Sequence, residues 1–225
     1  AERRASEIVQ TLIETKAEVN VSNARGETAL IMTARNGEIE GVLMLVDAKA
    51  DTHASDVDKD TALINAVRYG HTSCAQVLVD AKADVNARNK HGENALIFAT
   101  RRGYTSCAQM LVDAKADANA SDEDQNTALI LAANRGVTCA QMLVDAKADV
   151  NARNKNGDTA LILAALNNNS ACLRMLVDAK ADIAAVNEDG HTVLMLASRW
   201  GRADDVQYVL STSREQILLR ESPET

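Results

Sequence analysis

Apolar positions in this chain come in paired short bursts that recur at a fixed spacing. Between Arg88 and Ala120 the first burst is Ala95-Leu96-Ile97-Phe98-Ala99, and the second is carried by Cys107, Ala108, Met110 and Leu111 at helical spacing. A polar turn, Arg-Asn-Lys-His-Gly at 88–92, precedes the first burst, Asn94 stands where an N-cap is needed, and Gly103 separates the two. The pattern predicts turn, helix, turn, helix. Asp-Ala-Lys-Ala-Asp closes the second burst and returns at Asp47, Asp80, Asp113, Asp145 and Asp178, with a weaker copy, Glu-Thr-Lys-Ala-Glu, from Glu14; the period is 33 residues with one step of 32. Self-similarity at such a period marks stacked supersecondary units, none able to bury its apolar face alone.

Phase along the chain gives spans of 21–53, 54–86, 87–119, 120–151, 152–184 and 185–210 for six full units, with 1–20 as a partial unit and 211–225 as a capping helix and tail. Ala5 to Lys16 reads as a second helix with no first helix before it. Ser213 followed by Gln216 is a capping-box signature ahead of Ile217-Leu-Leu219, which predicts a separate C-terminal helix over the last unit. Three residue steps from Gly136 to Cys139 replace the four from Gly103 to Cys107, so the fourth unit should have a tightened turn.

Hydrophobic residues make up 46% of the chain, yet there are only one Phe, one Trp and three Tyr, which describes a core of Ala, Leu, Val, Ile and Met suited to closely packed thin helices. No run reaches the length of a membrane span, and Ala1 to Gln10 is too charged for a secretory leader. A net charge of −8 argues against whole-surface attraction to nucleic acid or anionic membrane and leaves room for a local basic stripe. Cys74, Cys107, Cys139 and Cys172 occupy one equivalent position in four successive units, too far apart for a disulfide or a shared zinc ion, so they read as small buried hydrophobes in a reducing, intracellular setting.

These residues resemble the ankyrin repeat family. The fifth unit reads Asn154-Lys-Asn-Gly-Asp-Thr159-Ala-Leu-Ile-Leu-Ala-Ala165 and the second closes with Ala83-Asp-Val-Asn-Ala87, and the likeness spans about residues 5 to 210. Thr28, Thr61, Asn94, Thr127, Thr159 and Thr192 each open a first-helix signature in phase with the closing strings. The resemblance implies an all-α solenoid of stacked helix-turn-helix units with hairpin-like turns, working without catalysis as a protein-binding scaffold. It also makes Asn20, Asn86 and Asn151 candidates for hydroxylation. The chain departs from the family where Ala29, Ala62, Ala95, Ala128, Ala160 and Val193 replace Pro, where Ile31, Ile64, Ile97, Ile130, Ile162 and Met195 replace His, and where Lys16, Lys49, Lys82, Lys115, Lys147 and Lys180 replace the Gly that ends the second helix. A left-handed Lys costs about 1 kcal/mol relative to Gly; duplication of one ancestral unit or a ladder of Lys between flanking Asp residues would each account for it.

Asp56-Val-Asp58-Lys-Asp60 and Asp122-Glu-Asp124-Gln-Asn126 copy the first half of a calcium loop, but Thr61 and Val67 stand where that loop needs Gly and Glu. No two His residues are three or four apart, His71 alone stands three before a Cys, Cys74, and no phosphate loop, nucleophile elbow or Ser-His-Asp set appears. No catalytic, metal or cofactor role is expected.

The candidate binding residues follow the first helix. Arg35, Arg68, Arg101, Asn134, Leu166 and Arg199 lie two before the inter-helix Gly or its equivalent, and Asn36, Tyr69, Arg102, Arg135, Asn167 and Trp200 adjoin them. In the resembled family these positions face a concave partner-binding groove, and Arg with Tyr and Trp is a hot-spot composition. The alternative is solvated helix ends with Arg near the C-terminal dipole. The turn tips add Arg25, Asp58, Lys90, His91, Glu123 and Lys155, with basic turns in units three and five and acidic turns in units two and four; these either form a two-sign contact surface or neutralise each other. The expected partner of this expected monomer is a protein with acidic groups on its contact surface. A polyanion binder using the Arg stripe and an architectural segment of a larger protein are the alternatives.

Overall fold

Six residues start six helices in the same way. Thr28, Thr61, Asn94, Thr127, Thr159 and Thr192 sit in extended backbone, and each side-chain oxygen accepts the amide three residues on, from 2.9 Å at Asn94 to 3.4 Å at Thr127. Each bond satisfies one of the amides that a helix start leaves open. In the computed structural model, residues 18–221 are described, with side chains to residue 212. The segment expected to form the helix of Ala5 to Lys16 therefore lies outside the described residues, except for its neighbours from Glu18 onward.

The described residues fold as twelve helices and no strands, with isolated bridges only at Ser22–Thr28 and Ser55–Thr61. The chain divides into two compact units, one ending at Glu123 and one starting at Asp124. In the first unit, α1 (Ala29–Asn36) pairs with α2 (Ile39–Asp47), α3 (Ala62–Arg68) with α4 (Thr72–Asp80), and α5 (Ala95–Arg102) with α6 (Thr105–Asp113). First helices pack on first helices and second on second: α1 on α3 on α5, and α2 on α4 on α6. The second unit repeats the plan with α7 (Ala128–Ala132), α8 (Val137–Asp145), α9 (Ala160–Leu166), α10 (Ser170–Asp178), α11 (Val193–Arg199) and α12 (Ala203–Glu221).

Burial follows the two apolar bursts. The Leu-Ile pairs of the first helices, from Leu30-Ile31 to Leu161-Ile162, are at most 1% exposed, because each is covered by a neighbouring pair. Cys74, Cys107, Cys139 and Cys172 are buried with Ala75, Ala108 and Ala140 in the second helices, and none forms a disulfide. Burial raises the thiols of Cys74 and Cys107, and pushes Cys172, also close to Cys139, up to about 11.

The Asp-Ala-Lys-Ala-Asp string is a helix stop. Lys49, Lys82, Lys115, Lys147 and Lys180 all have positive φ, between 63° and 67°. Around Lys82, its own amide bonds the Val79 carbonyl and the Ala83 amide bonds that of Leu78, both at about 2.9–3.0 Å, and the other four copies bond alike. This is a Schellman motif with Lys where Gly is usual. The following Ala50, Ala83, Ala116, Ala148 and Ala181 are buried and supply its apolar contact. None of the five lysines makes an ion pair with a described residue, so the strain is not offset by a Lys–Asp ladder.

The fourth repeat lacks the tightened turn expected of it: the missing residue leaves a shorter first helix instead, and four residues, 133–136, join the pair where two or three do elsewhere. Helix α7 has five residues, against seven or eight in the other first helices, and Gly136 links it to α8 at φ 149°. The far end differs from expectation: α12 runs unbroken for 19 residues, so Ser211-Thr-Ser213 lies within a helix rather than opening a new one. The Ser211 and Thr212 hydroxyls donate back to the Tyr208 carbonyl, so this Ser-Thr pair serves the interior of α12 instead of capping.

Candidate protein-interaction surface

The turns before the first helices are built by one Asx residue each. Asn23, Asp56, Asn89 and Asn154 accept backbone amides two and four residues on, and Asn187 accepts that of His191. The carboxylate of Asp56 is thereby engaged with its own turn, and no group of three or more His, Cys, Asp or Glu among the described residues could hold a metal ion. Successive turns are joined by single backbone bonds: Val57 to Arg25, Lys90 to Asp58 and Glu123 to His91 in the first unit, and Lys155 to Asp124 and Glu188 to Asn156 in the second, all 2.8–3.0 Å. On the exposed side of the closing strings, Asn20, Asn86 and Asn151 accept the amides of Asp51, Asp117 and Asp182 from the next repeat.

The tip charges neutralise one another across adjacent turns. Lys90 Nζ lies 2.6 Å from Asp58 and, through its hydrogen bond, holds that carboxyl below its usual range. His91 faces Glu123 at 3.4 Å, and Lys155 faces Asp124 at 3.7 Å. Exposed pairs of this kind each contribute little stability.

The first-helix arginines are not the open stripe that the sequence suggested. Arg35 pairs with Glu27, Arg68 with Asp60 in a two-pronged contact at 2.6 and 2.8 Å, and Arg101 with Glu93 and also with Asp122 at 2.8 Å. The four acids are nearly buried, so these guanidiniums serve as internal counter-ions. Asn23 and Arg35 together lower the Glu27 carboxyl, whereas burial raises Asp60 against the pull of Arg68 and of Asn89. Phe98 lies between two of these arginines, 4.5 Å from the Arg68 guanidinium and 5.9 Å from that of Arg101.

Sequence reading missed the acids, although a signal exists. Each stands immediately before the N-cap and eight residues before its arginine: Glu27 and Arg35, Asp60 and Arg68, Glu93 and Arg101. Where the acid becomes Asn126, the arginine becomes Asn134, which is exposed and bonded to Asn167 instead. Leu166 is half-buried, and Asp158, eight residues before it, accepts from Asn187 at 2.8 Å.

The adjoining positions, together with Arg199, remain outward. Tyr69 is 52% exposed and Trp200 56%, and Asn36, Arg102, Arg135, Asn167 and Arg199 are also exposed. Arg102 and Arg135 make no ion pair with a described residue, and Arg199 lies over the Trp200 ring at 5.9 Å. No described helix is long and apolar enough to cross a membrane.

Among solved structures, the chain is similar to an ankyrin repeat domain from Acinetobacter baumannii AYE, with 30% identity over 82% of this chain and 97% of that one and a TM-score of 0.77. It is also similar to the ankyrin repeat domain of Bcl-3, a member of the IkappaB protein family, with 28% identity over 92% and 91% of the two chains and a TM-score of 0.77. A search of curated protein sequences gives no match. The family model for ankyrin repeats matches three times, over residues 1–89, 81–154 and 137–218. Ankyrin repeats are in general a non-enzymatic, all-α solenoid fold that binds other proteins. With the capped helix pairs, the joined turns and the matches that cover most of its length, this chain belongs to the ankyrin repeat family.

Proposed function

We propose that the chain is a monomeric interaction module that grips a protein partner at the ends of its first helices, and that the partner presents acidic groups around an apolar centre. The observation that carries this reading is the contrast between two sets of positions. Arg35, Arg68 and Arg101 are matched by internal acids, whereas Arg102 of the adjoining positions in the first unit, and Arg135 and Arg199 in the second, have no acidic partner among the described residues, and Tyr69 and Trp200 at adjoining positions are half-exposed. Rigid aromatics beside arginine are typical of binding hot spots. Internal matching of the other three arginines weighs against a polyanion ligand, which needs a run of unmatched charge. Buried thiols without disulfides fit work inside a reducing cell compartment.

The test replaces Arg102, Arg135 and Arg199 together by Glu. Melting should move little, because exposed charges are worth about 1 kcal/mol or less each. A protein isolated on the wild-type chain should bind the triple variant at least about tenfold more weakly through like-charge contact. Unaltered affinity would move the contact to the turn tips, Arg25, Asp58, Lys90, His91, Glu123 and Lys155.

A further inference from the structure

One face of α11 is open where the same face of every earlier first helix is closed. Met195 stands at the position of Ile31, Ile64, Ile97, Ile130 and Ile162; each of those is at most 1% exposed, whereas Met195 is 57% exposed. Ser198 is exposed where Ala34, Val67, Thr100, Ala133 and Ala165 are buried, and Thr192 and Leu194 are half-buried where the earlier caps and leucines are buried. Thr192, Met195 and Ser198 are three apart, so they share one side of the helix.

The backbone and the charges are unfinished at the same end. The carbonyls of Arg25, Asp58, His91, Asp124 and Asn156 each accept an amide from the next turn, but that of Asp189, at the same position, accepts none among the described residues. A Cβ on Gly26 would stand 3.2 Å from Asp56 Cα, and one on Gly157 3.1 Å from the Glu188 nitrogen, both in the next turn, whereas one on Gly190 would meet nothing. Arg101 takes Asp122 of the next repeat at 2.8 Å; Arg199, at the same position, has no acidic partner among the described residues. Helix α12 runs for 19 residues, past the nine at which the other second helices stop, so the described chain does not turn back across this face. A repeat whose outer neighbour is water carries a polar outer face. Met195 beside exposed Trp200 is not one.

We propose that this face docks an amphipathic helix of another protein, laid on α11 as the next first helix is laid on each of the others. Continuity with the closed junctions fixes the chemistry of that helix. It brings a Leu or Ile stripe over Met195 and an acid for Arg199 at one end, as Asp122 serves Arg101. At the other end it brings a donor or a basic side chain to the tip at Glu188 and Asp189, as Lys90 serves Asp58 and Lys155 serves Asp124. Recognition of a helix by a helical surface uses such apolar anchors at i, i+3, i+4 and i+7. Arg199 is shared with the surface proposed above, but Met195 and Ser198 are not, so the two readings stand or fall separately.

Trp200, the only Trp in the chain, stands 56% exposed at the end of α11 and reports on this face. The probe is a synthetic peptide of about 15 residues, long enough for partial helix, with a Leu stripe, Glu in one half, Lys in the other and neither Trp nor Tyr. Titrated into the full chain, it should shift Trp200 emission to the blue and saturate. A peptide of the same composition with its Leu residues spread around the helix should bind at least about tenfold more weakly, and Met195→Asp and Ser198→Arg should each weaken the striped peptide by a similar factor. Both positions are exposed, so the variants keep the fold. No saturable shift, equal binding of the two peptides, or unaltered affinity in either variant overturns the site. Sedimentation of the wild-type chain alone should give a monomer; a dimer abolished by Met195→Asp would hand the face to a second copy and overturn the proposal as well.

Discussion

The Arg68 guanidinium, at the far end of α3, closes on the carboxylate of Asp60 just ahead of that helix, Nη1 to Oδ2 at 2.6 Å and Nη2 to Oδ1 at 2.8 Å. Asp60 is 2% exposed and also accepts from Asn89 of the next repeat, so one carboxylate ties a turn, a helix end and a neighbouring repeat. Arg68→Ala would leave that carboxylate buried beside one neutral donor. Breaking a buried pair from one side costs roughly 3 kcal/mol or more; since a quarter of the Arg68 side chain is exposed, the expected loss is nearer 2 kcal/mol. Denaturant unfolding of Arg68→Ala against Arg102→Ala separates the internal row from the outer one. Equal midpoints for the two variants would mean that the Asp60 pair carries no stability.

Lys82→Gly should stabilise the chain by about 1 kcal/mol. Lys82 has φ 64° and no ion pair with a described residue, so Gly removes the left-handed strain and forfeits no contact of that kind. The gain survives the extra freedom that Gly has in the unfolded chain only because the Schellman bonds are made by the backbone, and these stay. A lower urea midpoint for Lys82→Gly would show that the unfolded-state term wins.

Sequence alone carried the fold a long way, because the determinants of each repeat are local. The N-caps and the left-handed lysines depend on residues within one period, and both are visible as pattern. The surface was less legible. Whether Arg68 faces solvent or a carboxylate depends on Asp60, eight residues away and beyond a full helix, and on Asn89 of the next repeat. The pairing of Glu27 with Arg35 and of Glu93 with Arg101, and the joint change to Asn126 and Asn134, was present in the chain as covariation between its own repeats. Ser213 misled for the opposite reason: a capping box is a local signal, but α12 was already helical when the chain reached it.

The four cysteines should count as four thiols after denaturation without reductant, and should react slowly in the native chain. All are buried, and burial together with Cys139 holds Cys172 at about 11, so little thiolate is present near neutrality. Thiol titration before and after denaturation checks both halves. A count of two would require a disulfide that the one-per-repeat spacing forbids.

Asp205 sets a pH dependence in the second unit. Burial works to raise its carboxyl, but hydrogen bonds from Ser170 and Arg174, with Arg202 also in reach, outweigh it and leave the group below the ordinary value of 3.8. A carboxyl lowered on folding binds protons more readily when unfolded, so its stabilising contribution is complete above pH 3.8 and disappears as pH falls through the native value. The wild-type chain should therefore lose stability with acid in that window. Asp205→Asn keeps the size and one acceptor but cannot titrate, so its urea midpoint should start lower near neutrality and fall less steeply below pH 3.8 than that of the wild type. Measuring both midpoints across that range isolates the group, because every other carboxylate is common to the two proteins. Parallel curves would mean that Asp205 has the same proton affinity folded and unfolded, and that Ser170, Arg174 and Arg202 do no more than offset its burial.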